Sequence, residues 1–412
     1  MNGDQEVIII GAGPVGSCAA LETSKNGFKT LVFEEHSQIG HPNHCSGLIS
    51  SSGLNRIRLS LSDPFILNRI SRALIYSPSY HKLEISRERD EMFVIDRRLI
   101  DQKLANLAMR KGVEYRLNHR VHQVKLKNRS SIDLQVRIGC DTSEIFKALV
   151  LINCEGQRGS IARKLGIKIP PRTFALPAAQ YEVENGVFEK ETVELYHGSK
   201  WAPGFFTWII PKNESEAEVG VACKRIDGFS PLFFLNRFIK HHPIAKKRLK
   251  HTKVKKIRGG FVPAFGPAQQ TLLGPILNAG DIAGQAKATT GGGFNIGCYC
   301  GRIAGITAVK FIQSSPRDLK ILKQYELEWR TRFFKELWLM KHIRRSLGNV
   351  EDKVLDKGFK TLKQIGIEDY LRNGVDIDLH AVSILKKMIN GHMIAFGLLN
   401  SFKILEAWVR SA

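Results

Sequence analysis

Glu6-Val7-Ile8-Ile9-Ile10-Gly11-Ala12-Gly13-Pro14-Val15-Gly16 is the stretch on which the fold turns. The β-branched run reads as a buried strand. Three glycines at Gly-x-Gly-x-x-Gly spacing let the backbone turn tightly and approach a phosphate at a helix N-terminus. Residues 17–25 carry small apolar side chains suited to a helix, which Asn26-Gly27 stops. A second strand, 29–33, ends at Glu34, eighteen positions after Gly16, where a carboxylate accepts hydrogen bonds from a ribose. Strand, glycine loop, helix, strand and acidic terminus in register predict a dinucleotide-binding α/β unit.

A second stretch, about 270 residues on, asks for the same kind of ligand. Gly280-Asp281-Ile282-Ala283-Gly284-Gln285 runs through Thr289-Thr290 into Gly291-Gly292-Gly293-Phe294-Asn295. A Gly-Asp turn leading into close glycines before a helix again brings backbone against a phosphate-bearing cofactor.

At 412 residues the chain exceeds one ordinary domain of about 100–200 residues. Its hydrophobic (43%) and charged (25%) fractions are those of a folded protein. The formal charge of +23 favours an anionic partner: phosphates, an acidic membrane, an acidic protein or nucleic acid. Seven scattered cysteines, and an N-terminus that runs into a strand without a signal-peptide pattern, predict a reduced cytoplasmic setting.

Gly40-His41-Pro42-Asn43-His44-Cys45-Ser46-Gly47 reads as a loop. No second Cys/His pair stands at ligand spacing, so no metal is expected; Cys45 is either a small packed residue or a reactive thiol. Asp96 is a fair N-cap for a helix over 97–111, which sets Arg97 at an N-terminus, either within reach of a pyrophosphate or as a surface arginine. The apolar run 148–153 breaks at Glu155-Gly156 into a basic helix, again the topology of a cofactor edge. After Pro170-Pro171 the period changes to that of antiparallel strands. Within them, alternation places Phe206, Trp208 and Ile210 on one face, lining a cleft or a sheet core. The basic cluster around Lys246, Lys247, Arg248 and Lys253–Arg258 lacks interleaved aromatics, so nucleic acid is not expected; anionic lipid headgroups or plain solvent suit it better. Beyond Pro316 apolar residues step by three and four, predicting helices. The uncharged segment 388–402 is too short to cross a bilayer and reads as a buried or interfacial helix.

Taken together, these motifs resemble the geranylgeranyl reductase family of flavoproteins, built on the p-hydroxybenzoate hydroxylase fold, over roughly residues 6–312. The resemblance implies a Rossmann-type FAD-binding domain from 1–75, 95–168 and 270–315. An antiparallel-sheet substrate domain would comprise 76–94 and 169–269, and a C-terminal helical region 316–412. It implies FAD contacts from Gly11, Gly13, Pro14, Val15, Gly16, Glu34, Glu35, Arg97, Val121, Glu155, Gly156, Gly280, Asp281 and Gly284. Asp281 would hold the ribityl chain, and Gly291, Gly292 and Gly293 would lie beside the isoalloxazine ring. Pro42-Asn43-His44-Cys45-Ser46-Gly47 is similar to the Pro-x-x-Cys-x-Gly loop of the reductases, which raises Cys45 to an active-site candidate beside Ser46 and Gly47. Phe206-x-Trp208-x-Ile210-Pro211 with Gly220 resembles the motif lining the isoprenoid cavity. The chain departs from the family at Ile210 (usually Phe), Ala222 (Gly), Ala288 (Pro) and Glu155 (Asp). The first three put chain-length preference in question.

The expected activity is FAD-dependent saturation of C=C bonds in geranylgeranyl (polyprenyl) lipids. A monooxygenase or halogenase of the same fold, or an isoprenoid-binding flavoprotein without turnover, are the alternatives. Expected partners are the lipid, an electron donor such as ferredoxin or a nicotinamide, and an anionic membrane surface.

Overall fold

The structure, a computed structural model, describes residues 5–390 except 26, 58, 60–63, 89–91, 129–130, 140–141 and 374–375. The strand Gln5–Ile10 lies between Thr142–Asn153 and Thr30–Phe33, parallel to both. Glu114–Arg116 and Ile276–Asn278 extend this parallel sheet on either side. Its middle strand Thr142–Asn153 changes character along its length. The first half alternates in burial and pairs antiparallel with Ser131–Ile138, while residues 150–153 are buried on both faces. Sequence follows this division: Val150-Leu151-Ile152 is unbroken apolar because both faces are covered, Val150 and Ile152 by helices and Leu151 by the layer that holds Val121, Val124, Ile132 and Leu134.

Helix Pro14–Ser24 packs on Phe294–Gln313. The contact is close because Gly301 and Gly305 face it: a Cβ on either would stand 2.3 Å from the Val15 carbonyl oxygen or 2.5 Å from that of Ala19. Small residues four apart thus let two helix backbones touch, and the pair delivers both glycine loops to one sheet edge.

A second, seven-stranded sheet runs in the order Lys253–Val262, Leu176–Glu184, Ala217–Ala222, Phe206–Pro211, Thr192–His197, Arg72–Tyr76, Lys82–Ser86. It is antiparallel but for Thr192–His197 against Arg72–Tyr76, which run parallel. The exception arises because 72–86 is a hairpin inserted from the earlier half of the chain; Arg72–Tyr76 therefore belongs to this sheet although the sequence pattern set the boundary after 75. Leu48–Ser50, Met92–Ile95 and Ile66–Ile70 form a small third sheet between the two.

The helical run from 319 to 347 docks on the first sheet, whereas Asp352–Gln364 and Ile367–Arg372 pack on the edge strand Lys82–Ser86 of the second. Tyr325, Trp329, Phe333 and Leu337 are fully buried in the core of the first sheet, which is what three- and four-residue spacing requires of one helix face. Arg330–Phe334 within this run is a π-helical turn. Segment 388–402 lies outside the described residues, apart from the backbone end of helix Ala381–Asn390. Among the described residues no helix is long and apolar enough to cross a membrane.

Candidate active site

One cavity of about 1400 Å³ runs between the two large sheets. This exceeds the roughly 300–1,000 Å³ of a single small-molecule site, leaving room for a cofactor and a substrate together. Its lining brings together most of the residues singled out from the sequence: Gly11, Gly13, Pro14, Val15, Gly16, Glu34, Glu35, Cys45, Ser46, Arg97, Val121, Glu155, Gly156, Gly280, Asp281, Gly291, Gly292, Gly293, Phe206, Trp208 and Ile210. Gly47, Gly284 and Pro211 are not in the lining. Gly47 and Gly284 have positive φ and lie against backbone, where a Cβ would meet the Ile95 oxygen at 2.4 Å and the Gly266 oxygen at 2.0 Å. Pro211 ends its strand, and its carbonyl accepts from Asn68 Nδ2 at 2.8 Å.

The dinucleotide end is shaped by backbone. Gly11 sits at φ 96° against Cys154, and a Cβ on Gly16 would stand 2.0 Å from the Gly11 carbonyl oxygen. Glu34 ties this turn to the second strand: one carboxylate oxygen accepts from the Ala12 N–H at 2.9 Å, and the other from the His36 N–H at 3.0 Å. Gly13 caps helix Pro14–Ser24 at φ −66°, with nothing within 4 Å of its Cβ position. That is an open cradle at a helix N-terminus, as a pyrophosphate requires. Asp281 faces the cavity beside Gly293, and burial pushes its carboxyl above the usual range, against the opposing pull of a Gln157 hydrogen bond and the Arg97 charge. A carboxylate in that position is stabilised by hydroxyl donors, so the residues fit the ribityl chain of FAD.

Two residues stand differently from expectation. The Glu155 carboxylate is spent on protein: one oxygen accepts from Asn153 Nδ2 and the Ala162 N–H, the other from Ser160 Oγ and the Ile161 N–H. At the edge of the cavity it thereby caps helix Ser160–Lys164 through the Ile161 and Ala162 N–H groups. Arg97 lines the cavity with two of its donors engaged inside its own helix. It makes a bidentate pair with buried Asp101 (3.0 and 3.2 Å) and lies 4.9 Å from the Phe294 ring. Burial opposes its charge, but the Asp101 carboxylate holds it protonated.

At the other end, the row Gln180–Gly220–Trp208–Leu195 crosses the second sheet in register on the cavity face. A side chain on Gly220 would strike the Trp208 indole at 2.3 Å. The empty position is therefore filled by the indole, which lies flat over the sheet and leaves the cavity open above it. Phe206, Ile210, Val193, Ala73 and Met92 continue an apolar wall. Cys45 joins the two ends. Its sulfur accepts the Gly47 N–H at 3.3 Å, and its own N–H donates to Asn43 Oδ1 at 3.1 Å.

Asp378 makes a polar hub at the glycine loop that no sequence motif announces. Its carboxylate accepts from Ser50 Oγ (2.5 Å), Lys287 Nζ (2.7 Å), Arg56 Nη1 (3.0 Å) and Asn295 Nδ2 (3.1 Å). Lys287 in turn holds the loop, its carbonyl accepting the Gly291 N–H at 2.7 Å. No pattern relates position 378 to position 50, which lies 328 residues away. Among the described residues no group of His, Cys, Asp and Glu is placed to hold a metal ion.

Two family models match the chain: FAD dependent oxidoreductase over residues 6–169 and geranylgeranyl reductase catalytic domain over 175–262. A digeranylgeranylglycerophospholipid reductase of Methanocaldococcus jannaschii is 31% identical over 360 residues, 86% of this chain and 90% of its own length. A second such reductase, from Methanothermobacter thermautotrophicus, is 30% identical, with 87% and 91% covered. Among solved structures, a geranylgeranyl bacteriochlorophyll reductase-like protein from Thermoplasma acidophilum superposes with a TM-score of 0.84 at 25% identity, covering 97% of this chain and 98% of its own. A flavin-dependent brominase shares the fold (TM-score 0.73, 16% identity, 95% and 99% covered).

Proposed function

The chain belongs to the geranylgeranyl reductase family of FAD-dependent oxidoreductases, and from that premise we propose that it saturates C=C bonds in the geranylgeranyl chains of archaeal-type membrane ether-lipid precursors. The observation that carries this reading is the single cavity, whose dinucleotide end opens directly onto an apolar wall of Phe206, Trp208 and Ile210.

An isolated trisubstituted alkene offers no polar group to activate, so orientation and dryness are most of what a protein adds. Reduced FAD, when bound, supplies the hydride. Gly11 to Gly16, Glu34 and Asp281 bind it, and the Gly291–Gly293 turn, braced by Lys287, supports its ring. Phe206, Trp208 and Ile210 align the chain and exclude water. Cys45 Sγ, at the junction of the two ends, holds the proton destined for the second alkene carbon, with Arg97 fixing the local field. Flavin reduction is assigned to an external donor, a transiently bound nicotinamide or a small acidic carrier such as ferredoxin. The basic surface keeps the protein at an anionic membrane from the cytoplasmic side.

The test is anaerobic incubation of dithionite-reduced protein with polyprenyl ether lipid. Mass gains in steps of two units with concomitant flavin reoxidation are expected; oxygen-dependent reoxidation alone would instead indicate a monooxygenase. In the same assay Cys45→Ser should retain FAD yet slow single-turnover reoxidation by about 100-fold, the lower end of what a positioned acid contributes. Unchanged turnover removes the thiol from the proton path.

A further inference from the structure

Exposed apolar side chains gather on one side of the seven-stranded sheet, at the mouth of the cavity. Ile257 and Phe261, on the edge strand Lys253–Val262, are 62% and 53% exposed. The register sets Ile257 opposite Tyr181, whose hydroxyl donates to Asn236 on helix Pro231–His241. Ile257, and Phe261 four positions on, therefore point to the face that this helix covers. The helix begins there with Leu232 and Phe233, 37% and 42% exposed, after Phe229 at 48%. The Phe229 and Phe233 rings lie 4.6 Å apart, and the Arg225 guanidinium, 5.7 Å from the Phe261 ring, joins helix and strand into one patch.

The segment that carries the patch is basic: between 224 and 262 the chain has twelve lysines and arginines against one acid, Asp227. Of these, Arg248, Lys255 and Arg258 are paired with glutamates from outside the segment. Three kinds of occupant meet this differently. A second copy adding to the edge strand is opposed by Lys253, Lys255 and Lys256, since lysines along an edge discourage strand pairing. An acidic protein would match the charge but has no call on three adjoining exposed apolar side chains. An anionic bilayer uses both: rings enter the interface while lysines contact headgroup phosphates. The patch is also continuous with the candidate active site, because Arg225 and Phe261 line the cavity.

We infer that this face seats the protein on an anionic bilayer, with Phe229, Leu232 and Phe233 in the interface and the cavity mouth at Arg225 and Phe261 turned toward the lipid. The assignment rests on the reading that the substrate is a membrane lipid, and it gives that lipid a route into the cavity without crossing water.

The test uses the full-length FAD-loaded protein and co-sedimentation with phosphatidylcholine vesicles, with and without phosphatidylglycerol. Two variants avoid the cavity lining: Phe229→Ser with Phe233→Ser, and Lys240→Glu with Lys253→Glu. Wild type should bind the anionic vesicles, and each variant should bind them about tenfold more weakly. Both variants should retain the flavin spectrum and wild-type reduction of lipid dispersed in detergent. Vesicle binding unchanged in the phenylalanine variant overturns the assignment, including the case where only the lysine variant loses binding, which marks a purely electrostatic face for an acidic partner. Failure of wild type to reduce lipid in detergent instead refutes the proposed activity and is read independently of the sedimentation.

Discussion

Gly16→Ala is expected to abolish FAD binding and to lower the stability of the apoprotein, whereas Gly13→Ala should weaken FAD alone. The two glycines sit three residues apart in one loop but face different neighbours. A Cβ on Gly16 would stand 2.0 Å from the Gly11 carbonyl oxygen and 3.3 Å from Ile9. Neither the strand end nor the helix start can yield without breaking the Ala12 to Glu34 hydrogen bond that holds the Glu34 carboxylate. The clash is therefore within the protein, and the cost falls on the fold and on the site together. Gly13 has ordinary φ and open space around its Cβ position, so alanine there is acceptable to the backbone but projects into the cradle where the pyrophosphate belongs. Flavin titration should show at least about 100-fold weaker binding for Gly16→Ala, equivalent to about 2.7 kcal/mol. Thermal unfolding of the two apoproteins separates the cases: lowered for Gly16→Ala, unchanged for Gly13→Ala. Equal stabilities would mean that the turn relaxes and that its shape is not held by this contact.

Asp378→Asn is expected to destabilise the protein by about 3 kcal/mol and to loosen the glycine loop. Removing one member of a buried ion pair leaves the other charge uncompensated, at a cost of about 3–5 kcal/mol. Lys287 and Arg56, 12% and 14% exposed, are the charges left behind. The lower end applies because Arg56 keeps Asp376 as a second partner. Burial alone would raise the Asp378 carboxyl, but the Lys287 charge and hydrogen bond, with Ser50 and Arg56, hold it well below the usual range. A carboxylate depressed in the folded state stabilises fully above its unfolded pKa of about 3.9 and loses that contribution as pH falls below it. The gap in unfolding free energy between wild type and Asp378→Asn should thus be constant near neutrality and shrink below about pH 4. A gap independent of pH would assign the loss to packing rather than charge. Since Lys287 braces the Gly291–Gly293 turn, turnover should fall with FAD still bound.

The sequence by itself determined the local half of this protein. The glycine loop at 11–16, the acid at Glu34, the Gly-Asp turn at 280–281 and the alternation that turns Phe206, Trp208 and Ile210 to one face are short-range patterns. Each works through bonds or periodicities spanning a few residues, and so each is legible without knowing what packs against it. The tertiary structure decided what depends on distant partners. It placed 72–86 in the second sheet. It also spread Trp208 across Gly220 and set Asp378 at the centre of Ser50, Arg56, Lys287 and Asn295. In a buried site a side chain's role follows from which charges and donors surround it in low dielectric. For Asp378 those neighbours come from elements 83 to 328 residues away, and only the fold brings them within a hydrogen bond's length.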